Sequence, residues 1–424
     1  MSESRSFFGF RLFIYKIMCN FAAMKQTIIT SIICLLASLN VCAKKQAGGW
    51  VVSWTTAIQL VEPHNMPPKP FLSGNSLRQI VQVSIPGDQV ELKLSNEYNK
   101  EETEILGIEI AEALTEGAEP TIDEASTVQV TFGGKPGVTM QPGGSAVSDP
   151  VKFKLTPRKN VAITIHFGKA STQSISGHPG SRTTSYIVEG NSQDFSNAVR
   201  TDHWYYINSL LVPAKKGNRA IAVLGNSITD GRGTTTNGQN RWTDVLSERL
   251  LKNKKTKNVS VLNQGLGGNC VLFGGLGPTG RSRYERDVLK QEGVRYAIIF
   301  EGVNDLGGSR DGMQTANMLI ETFQDMINKA HAQGITIYGA TIMPFKGNGY
   351  YNESREAGRQ HLNAWIREAG HFDGVIDFDA AMRDPEQPDR LNPAYLFEND
   401  WLHSNADGYQ HMGEAIDLKL FEKK

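Results

Sequence analysis

Cysteine is scarce in this chain: there are four in 424 residues, and Cys19, Cys34 and Cys42 all fall within the first 43. Only Cys270 lies beyond them. One thiol cannot close an internal disulfide, so the fold must stand on its core. A charge excess is lacking too, with 44 Lys+Arg against 44 Asp+Glu. Residues 1–43 hold Arg5, Arg11, Lys16 and Lys25 but only Glu3, which leaves 40 basic and 43 acidic residues in the remainder. That mildly acidic remainder lacks the basic surplus that sequence-independent phosphate binding needs, so nucleic acid is not an expected partner. No His-Glu-x-x-His or paired-cysteine pattern occurs, so no metal and no cofactor are expected. Internal repeats and low-complexity tracts are absent as well. A composition of 39% hydrophobic and 21% charged residues at this length excludes fibrous and wholly disordered chains and suits two domains.

The N-terminus reads as a leader. From Met24, Lys25 precedes an apolar stretch from Ile28 to Leu39, and Val41-Cys42-Ala43 supplies small residues before Lys44. The stretch is too short to span a bilayer as a mature helix. Residues 1–23 then form an extension ahead of a second start at Met24, with a membrane anchor as the alternative. A lipoprotein site at Cys42 is disfavoured by the size of Val41. The expectation is an exported protein, periplasmic or secreted, with no stable membrane span once matured. Its oligomeric state is left open.

Beyond the leader the chain divides by hydrophobic period. Over residues 44–214 short strand patterns alternate with Gly/Pro/Asn turns: Val81, Val83 and Ile85, then Pro86-Gly87-Asp88, then Val90, Leu92 and Leu94. Ile105–Ala111, Thr127–Phe132, Val151–Leu155 and Val161–Phe167 continue the series. Strand after strand with no amphipathic helix predicts an all-β sandwich or jelly roll. Past the polar linker Ala214–Asn218, residues 215–424 alternate apolar runs with helical patterns. The runs are Ala220–Leu224, Val259–Leu262, Tyr296–Phe300, Ile335–Ile342 and Gly374–Phe378. Leu319, Phe323, Met326, Ile327 and Ala330 share one helical face, with Gly334 as its cap. That alternation predicts a parallel sheet covered on both faces.

In such a sheet ligands bind beyond the carboxyl ends of the strands. There the sequence places Gly225-Asn226-Ser227, Asn263-Gln264-Gly265-Leu266-Gly267-Gly268, Gly302-Val303-Asn304-Asp305 and Asp400-Trp401-Leu402-His403. These supply the parts needed for acyl transfer. Ser227 is a weak nucleophile until a base takes its proton, and His403 can take it and return it to the leaving alcohol. Asp400 can fix the tautomer of His403. The N–H groups of Ser227 and Gly268 and the amide of Asn304 are candidate oxyanion donors, each worth ~3 kcal/mol when well aimed.

The four blocks, in this order, resemble the SGNH (GDSL) hydrolase superfamily. The resemblance implies a flavodoxin-like three-layer α/β/α fold over residues 219–424, behind an all-β, jelly-roll-like domain. It assigns the nucleophile to Ser227, the oxyanion donors to Gly268 and Asn304, and the acid and base to Asp400 and His403. One departure is Asn226, where the family carries Asp, which alters the electrostatics of the loop. Trp54, Leu77-Arg78-Gln79-Ile80, Leu94-Ser95-Asn96-Glu97, Ser148-Asp149-Pro150 and Val375-Ile376-Asp377-Phe378-Asp379 are similar to an acetylxylan-esterase-like branch.

Blander readings stand beside these. Ser227 could be a helix cap, Asn304-Asp305 a turn, and His166 and His178 structural or surface groups. Trp401 could stack on a sugar or pack in the core. Gly275-Leu276-Gly277-Pro278-Thr279-Gly280 with Glu301 downstream matches a dinucleotide fingerprint, but Pro278 removes a donor from the supposed phosphate cradle. These glycines read better as a loop near the acyl site. The expected function is an exported serine esterase that removes small acyl groups, acetyl above all, from a polysaccharide such as xylan. A lipid- or aryl-ester hydrolase and a non-catalytic glycan-binding protein are the alternatives.

Overall fold

The computed structural model describes residues 49–422, so the leader and the extension before it lie outside the described residues. Among the described residues no helix is long and apolar enough to cross a membrane.

From Trp50 to Pro213 the regular structure is antiparallel strand joined by loops, apart from one 3-10 turn at Pro63–Asn65. Trp50–Thr55, Ile207–Pro213, Gly87–Ser95 and Ser145–Val147 lie side by side, with Val151–Leu155 also on Gly87–Ser95. In Val151–Leu155 the side chains alternate between buried Val151, Phe153 and Leu155 and exposed Lys152 and Lys154, as a pleated strand with one wet face requires. A seven-stranded sheet runs Val199–Thr201, Ser185–Val188, Ser76–Gln82, Asn160–Lys169, Thr103–Ala113 and Ile122–Val130, with Val138–Met140 on Thr103–Ala113. The runs on either side of Pro86-Gly87-Asp88 enter different sheets: Ser76–Gln82 pairs with Asn160–Lys169, and Gly87–Ser95 with Ile207–Pro213. The turn therefore carries the chain from one sheet to the other. Three short strands, Gln59–Leu60, Ser176–His178 and Trp204–Tyr205, form a third sheet.

The remainder is α/β. Five strands, Arg219–Gly225, Val259–Gly265, Val294–Phe300, Thr336–Ala340 and Val375–Ile376, pair in parallel in the order 2-1-3-4-5. That order belongs to flavodoxin-like sheets, with a crevice at the carboxyl end of the first strand, where the winding reverses. The last strand is shorter than its apolar run because the Asp377 side chain accepts from Ala380 N–H and starts helix Phe378–Met382. Helix Gly312–Ala332 buries Leu319, Phe323, Met326, Ile327 and Ala330. Its start is capped by Asp311, and Gly334 lies just past its end at φ 69°.

The two halves are knitted together. Ser260 Oγ donates to Val52 O at 2.7 Å, Ser84 Oγ to Val261 O at 3.2 Å, and Val52 N–H to Glu292 O at 3.0 Å. One apolar core runs through both, from Val51 and Trp54 to Trp242 and Phe300.

Candidate active site

The first parallel strand ends at Gly225, and Asn226 turns the chain into a single helical turn, Ser227–Asp230. Asn226 Oδ1 caps that turn by accepting from Ile228 N–H at 3.0 Å. Ser227 is its first helical residue, so its N–H has no intrahelical acceptor.

Asp400 and His403 arrive on a tight loop. Glu398, Asn399 and Trp401 all hold positive φ, at 50°, 54° and 57°. Such backbone is costly for non-glycine residues and concentrates at functional sites. Asp400 itself closes the loop, its Oδ1 accepting from Leu402 N–H at 2.9 Å and His403 N–H at 2.8 Å. Its Oδ2 lies 2.6 Å from His403 Nδ1, and His403 Nε2 lies 2.8 Å from Ser227 Oγ. A carboxylate only accepts, so Nδ1 carries the proton and Nε2 offers its lone pair to the serine hydroxyl. Burial pushes Asp400 upward, but the bonds from the ring and backbone of His403 outweigh it and hold the carboxyl below its usual range. Ser227 and His403 are each 7% exposed, shielded from bulk water without being sealed off.

The other predicted groups, Gly268 and Asn304, meet around Asn269. Asn304 donates its amide N–H to Asn269 O at 2.8 Å, and Gly268 sits one residue before Asn269 with φ 64°. Asp305 accepts from Val271 N–H at 2.9 Å and Leu272 N–H at 2.8 Å, pinning the backbone just past Asn269. A cavity of about 510 Å³ opens beside Gly268 and Asn304, lined in part by Cys270, Phe273, Met318 and Tyr350. Trp401 is half-buried, with Gly347 against its ring and the Arg390 guanidinium 5.3 Å from its centroid. The glycines of the dinucleotide-like pattern fold back on this site: Leu276 N–H donates to Gly268 O at 2.9 Å. Glu301, which that pattern would aim at a ribose, is sealed inside.

Three supporting groups were not assigned to the acyl site from the sequence. Tyr350 donates its hydroxyl to Asn304 Oδ1 at 3.1 Å and so orients the amide. Arg283, fully buried, donates to Gly225 O at 2.9 Å, Gln264 O at 2.7 Å and Asn269 Oδ1 at 3.0 Å, joining the ends of two strands to the glycine loop. Glu301 accepts from Asn226 Nδ2 at 3.1 Å and lies 3.6 Å from Arg283. This contact gives Asn226 a physical rationale: the amide keeps the capping acceptor and adds a donor for Glu301, where Asp would face one carboxyl with another.

Burial pushes Glu301 up to about 8, against the pull of Arg283. A carboxyl that binds its proton more tightly when folded stabilises the fold fully below its unfolded value. That contribution is lost as pH rises through the folded value. Between about pH 4.5 and 8 the wild type should therefore lose stability relative to Glu301→Gln, by at least about 1.4 kcal/mol, one pKa unit's worth. Urea unfolding at both ends of that window measures it; parallel pH dependences in the two proteins would refute it.

Residues 223–411 match the GDSL-like lipase/acylhydrolase family. No protein of curated function matches the chain. Solved structures similar to it include the acetyl xylan esterase AlAXEase, 21% identical, covering 46% of this chain and 96% of that one at a TM-score of 0.36. A catalytic mutant of Axe2, an acetylxylan esterase from Geobacillus stearothermophilus, is 21% identical, with 49% and 96% covered and a TM-score of 0.37. A GDSL-like lipase from Bacteroides thetaiotaomicron is 22% identical, with 49% and 90% covered and a TM-score of 0.37. The strand order, the serine at the end of the first strand and the match to the GDSL-like lipase/acylhydrolase family all fall on the same half of the chain.

Proposed function

We propose that the protein is a serine esterase that removes acetyl or similarly small acyl groups from a neutral polysaccharide such as xylan. The observation that carries the esterase reading is the unbroken chain Ser227 Oγ, His403 Nε2, His403 Nδ1, Asp400 Oδ2, with links of 2.8 and 2.6 Å. In this reading Oγ attacks the ester carbonyl as Nε2 takes its proton. The negative charge that develops on the carbonyl oxygen falls to the N–H groups of Ser227 and Gly268 and to Asn304. His403 then returns the proton to the leaving sugar hydroxyl, and water repeats the sequence to release the acid and free the serine. No cofactor enters any step.

The sugar assignment has narrower support: the stretches around Trp54, Leu77–Ile80, Leu94–Glu97 and Val375–Asp379, and a mature chain with little net charge. A second reading, a lipid or aryl ester hydrolase, is favoured by Phe273 and Leu276, which are 59% and 50% exposed beside the oxyanion loop. The test is acetate release from acetylated xylan and related polysaccharides, set against hydrolysis of esters with longer acyl chains. The expected outcome is acetate release, with kcat/KM for acetyl above that for octanoyl by roughly tenfold or more. A preference for the longer chain would select the lipid reading, and polysaccharide binding with no acid released from any ester would select a glycan-binding protein. Export belongs to the same proposal, and finding the protein in the cytoplasm with residues 24–43 still attached would remove it.

A further inference from the structure

His178, on the short strand Ser176–His178 of the antiparallel half, reaches the helix that carries Ser227. Its Nδ1 lies 2.9 Å from Ala57 O and its Nε2 lies 2.9 Å from Asp230 Oδ1. Both partners accept and neither donates, and a neutral imidazole has only one N–H. Both contacts are therefore satisfied only by the imidazolium. Asp230 is the last residue of the Ser227 turn and is fully buried, and its other oxygen accepts from Arg182 Nη2 at 3.1 Å. Arg241 donates to Asp230 O at 3.0 Å and to Ser181 O, binding the 178–182 segment to the same residue. Gly180 makes this approach possible, since a Cβ there would come within 2.0 Å of the Asp230 carboxylate.

We propose that His178 and Arg182 are positioning residues for the nucleophile: they clamp Asp230 and so fix the turn whose first residue is Ser227, with the clamp complete while His178 is protonated. This rests on the reading of Ser227 as nucleophile, and it makes the antiparallel half a working part of the site. The turn is only four residues long, with Asn226 fastening one end and Asp230 the other. If His178 loses a proton and keeps its bond to Ala57, Nε2 turns a lone pair toward the carboxylate. If it keeps the Asp230 bond, Ala57 O is stranded. In the first case the Asp230 end of the turn loosens, and in the second the ring loses its tie to the Ala57 backbone. The charged and titratable groups around the pair are Arg182 and Arg241, then Asp244 and Arg158 beyond Arg241, Tyr409 near Asp230, and His203 near His178. Trp204 packs on the His178 ring with centroids 5.8 Å apart.

The test compares full-length wild type with His178→Gln, whose single NH₂ can reach only one of the two acceptors. With a soluble chromogenic acetate, kcat should fall on the order of 10- to 100-fold with KM unchanged, the scale of a small misplacement of a reacting group. Nitrogen-15 spectra of the wild-type imidazoles at neutral pH should show one ring protonated at both nitrogens and missing from His178→Gln. Should that variant not fold, Arg182→Met deletes the other half of the clamp and should show the same loss in kcat alone. Wild-type kcat in the variant, or a neutral His178 ring, would overturn the clamp while leaving the esterase. A wild type inactive on every ester would instead remove the esterase reading, and the clamp's catalytic role with it.

Discussion

Ser227→Ala should lower kcat for a chromogenic acetate by on the order of 10⁵- to 10⁶-fold, the loss seen when a serine nucleophile is deleted from a preorganised triad. The substitution removes one atom, whose hydrogen bond is to His403 Nε2. The turn's cap belongs to Asn226, and its far end is held through Asp230, so the helix keeps both anchors. Thermal unfolding should therefore shift little while turnover disappears, which separates a lost nucleophile from a lost fold. Cys270 cannot stand in for it: burial pushes the thiol up to about 12, and the nearby Asp305 and Glu301 push the same way, so almost no thiolate exists at neutral pH. A variant that retained more than a hundredth of wild-type kcat would show that Ser227 is not the attacking group. An active-site titration with a slow ester gives an independent measure, since the acyl-enzyme burst must vanish with the serine.

What could be read in the sequence was whatever is local. The parallel strands announce themselves as apolar runs because both sheet faces are covered, and each site block is a few residues at the end of one strand. Asp400 and His403 need only a three-residue separation, so a linear pattern finds them. The supporting groups leave no such trace. Tyr350 meets Asn304 across 46 residues, Glu301 meets Asn226 across 75, and His178 meets Asp230 across 52. Nothing local in these segments distinguishes them from loop or strand polar residues. Helix Glu353–Arg367 was hidden for a different reason. Its buried face includes Glu356, Arg359 and Asn363 beside Leu362 and Ile366, so the apolar stripe that usually marks a helix is broken by polar side chains. They are satisfied inside: Arg359 bonds Glu356, Asp379 and Ile342 O. The third sheet was invisible because strands of two or three residues carry no period. His178, read from sequence as a structural or surface group, is buried with its ring turned toward the helical turn that begins at Ser227.

Asp400→Asn should cost on the order of 10⁴-fold in kcat, although the replacement is nearly isosteric. The geometry says which way the amide must face. Asp400 Oδ1 accepts two backbone N–H groups, from Leu402 and His403, and an NH₂ placed there would meet two donors. The amide oxygen must take that position, which leaves the NH₂ at the Oδ2 position, 2.6 Å from His403 Nδ1. A donor facing Nδ1 forces the ring proton onto Nε2, and an imidazole protonated at Nε2 cannot accept from Ser227 Oγ. The loop keeps its backbone bonds, so the loss should appear in kcat with KM little changed, in contrast to Asp400→Ala, which frees both N–H groups and should also lower stability. The pH dependence comes from the sign of the shift. The Asp400 carboxyl is held below its usual range, so its contribution to stability is present above the ordinary carboxylate range and is lost only as pH falls through the lower folded value. Asp400→Asn should accordingly match the wild type in stability more closely in acid than at neutral pH. If Asp400→Asn kept more than a tenth of wild-type kcat, the tautomer would not depend on Asp400, and the role assigned to that carboxylate would have to be given up.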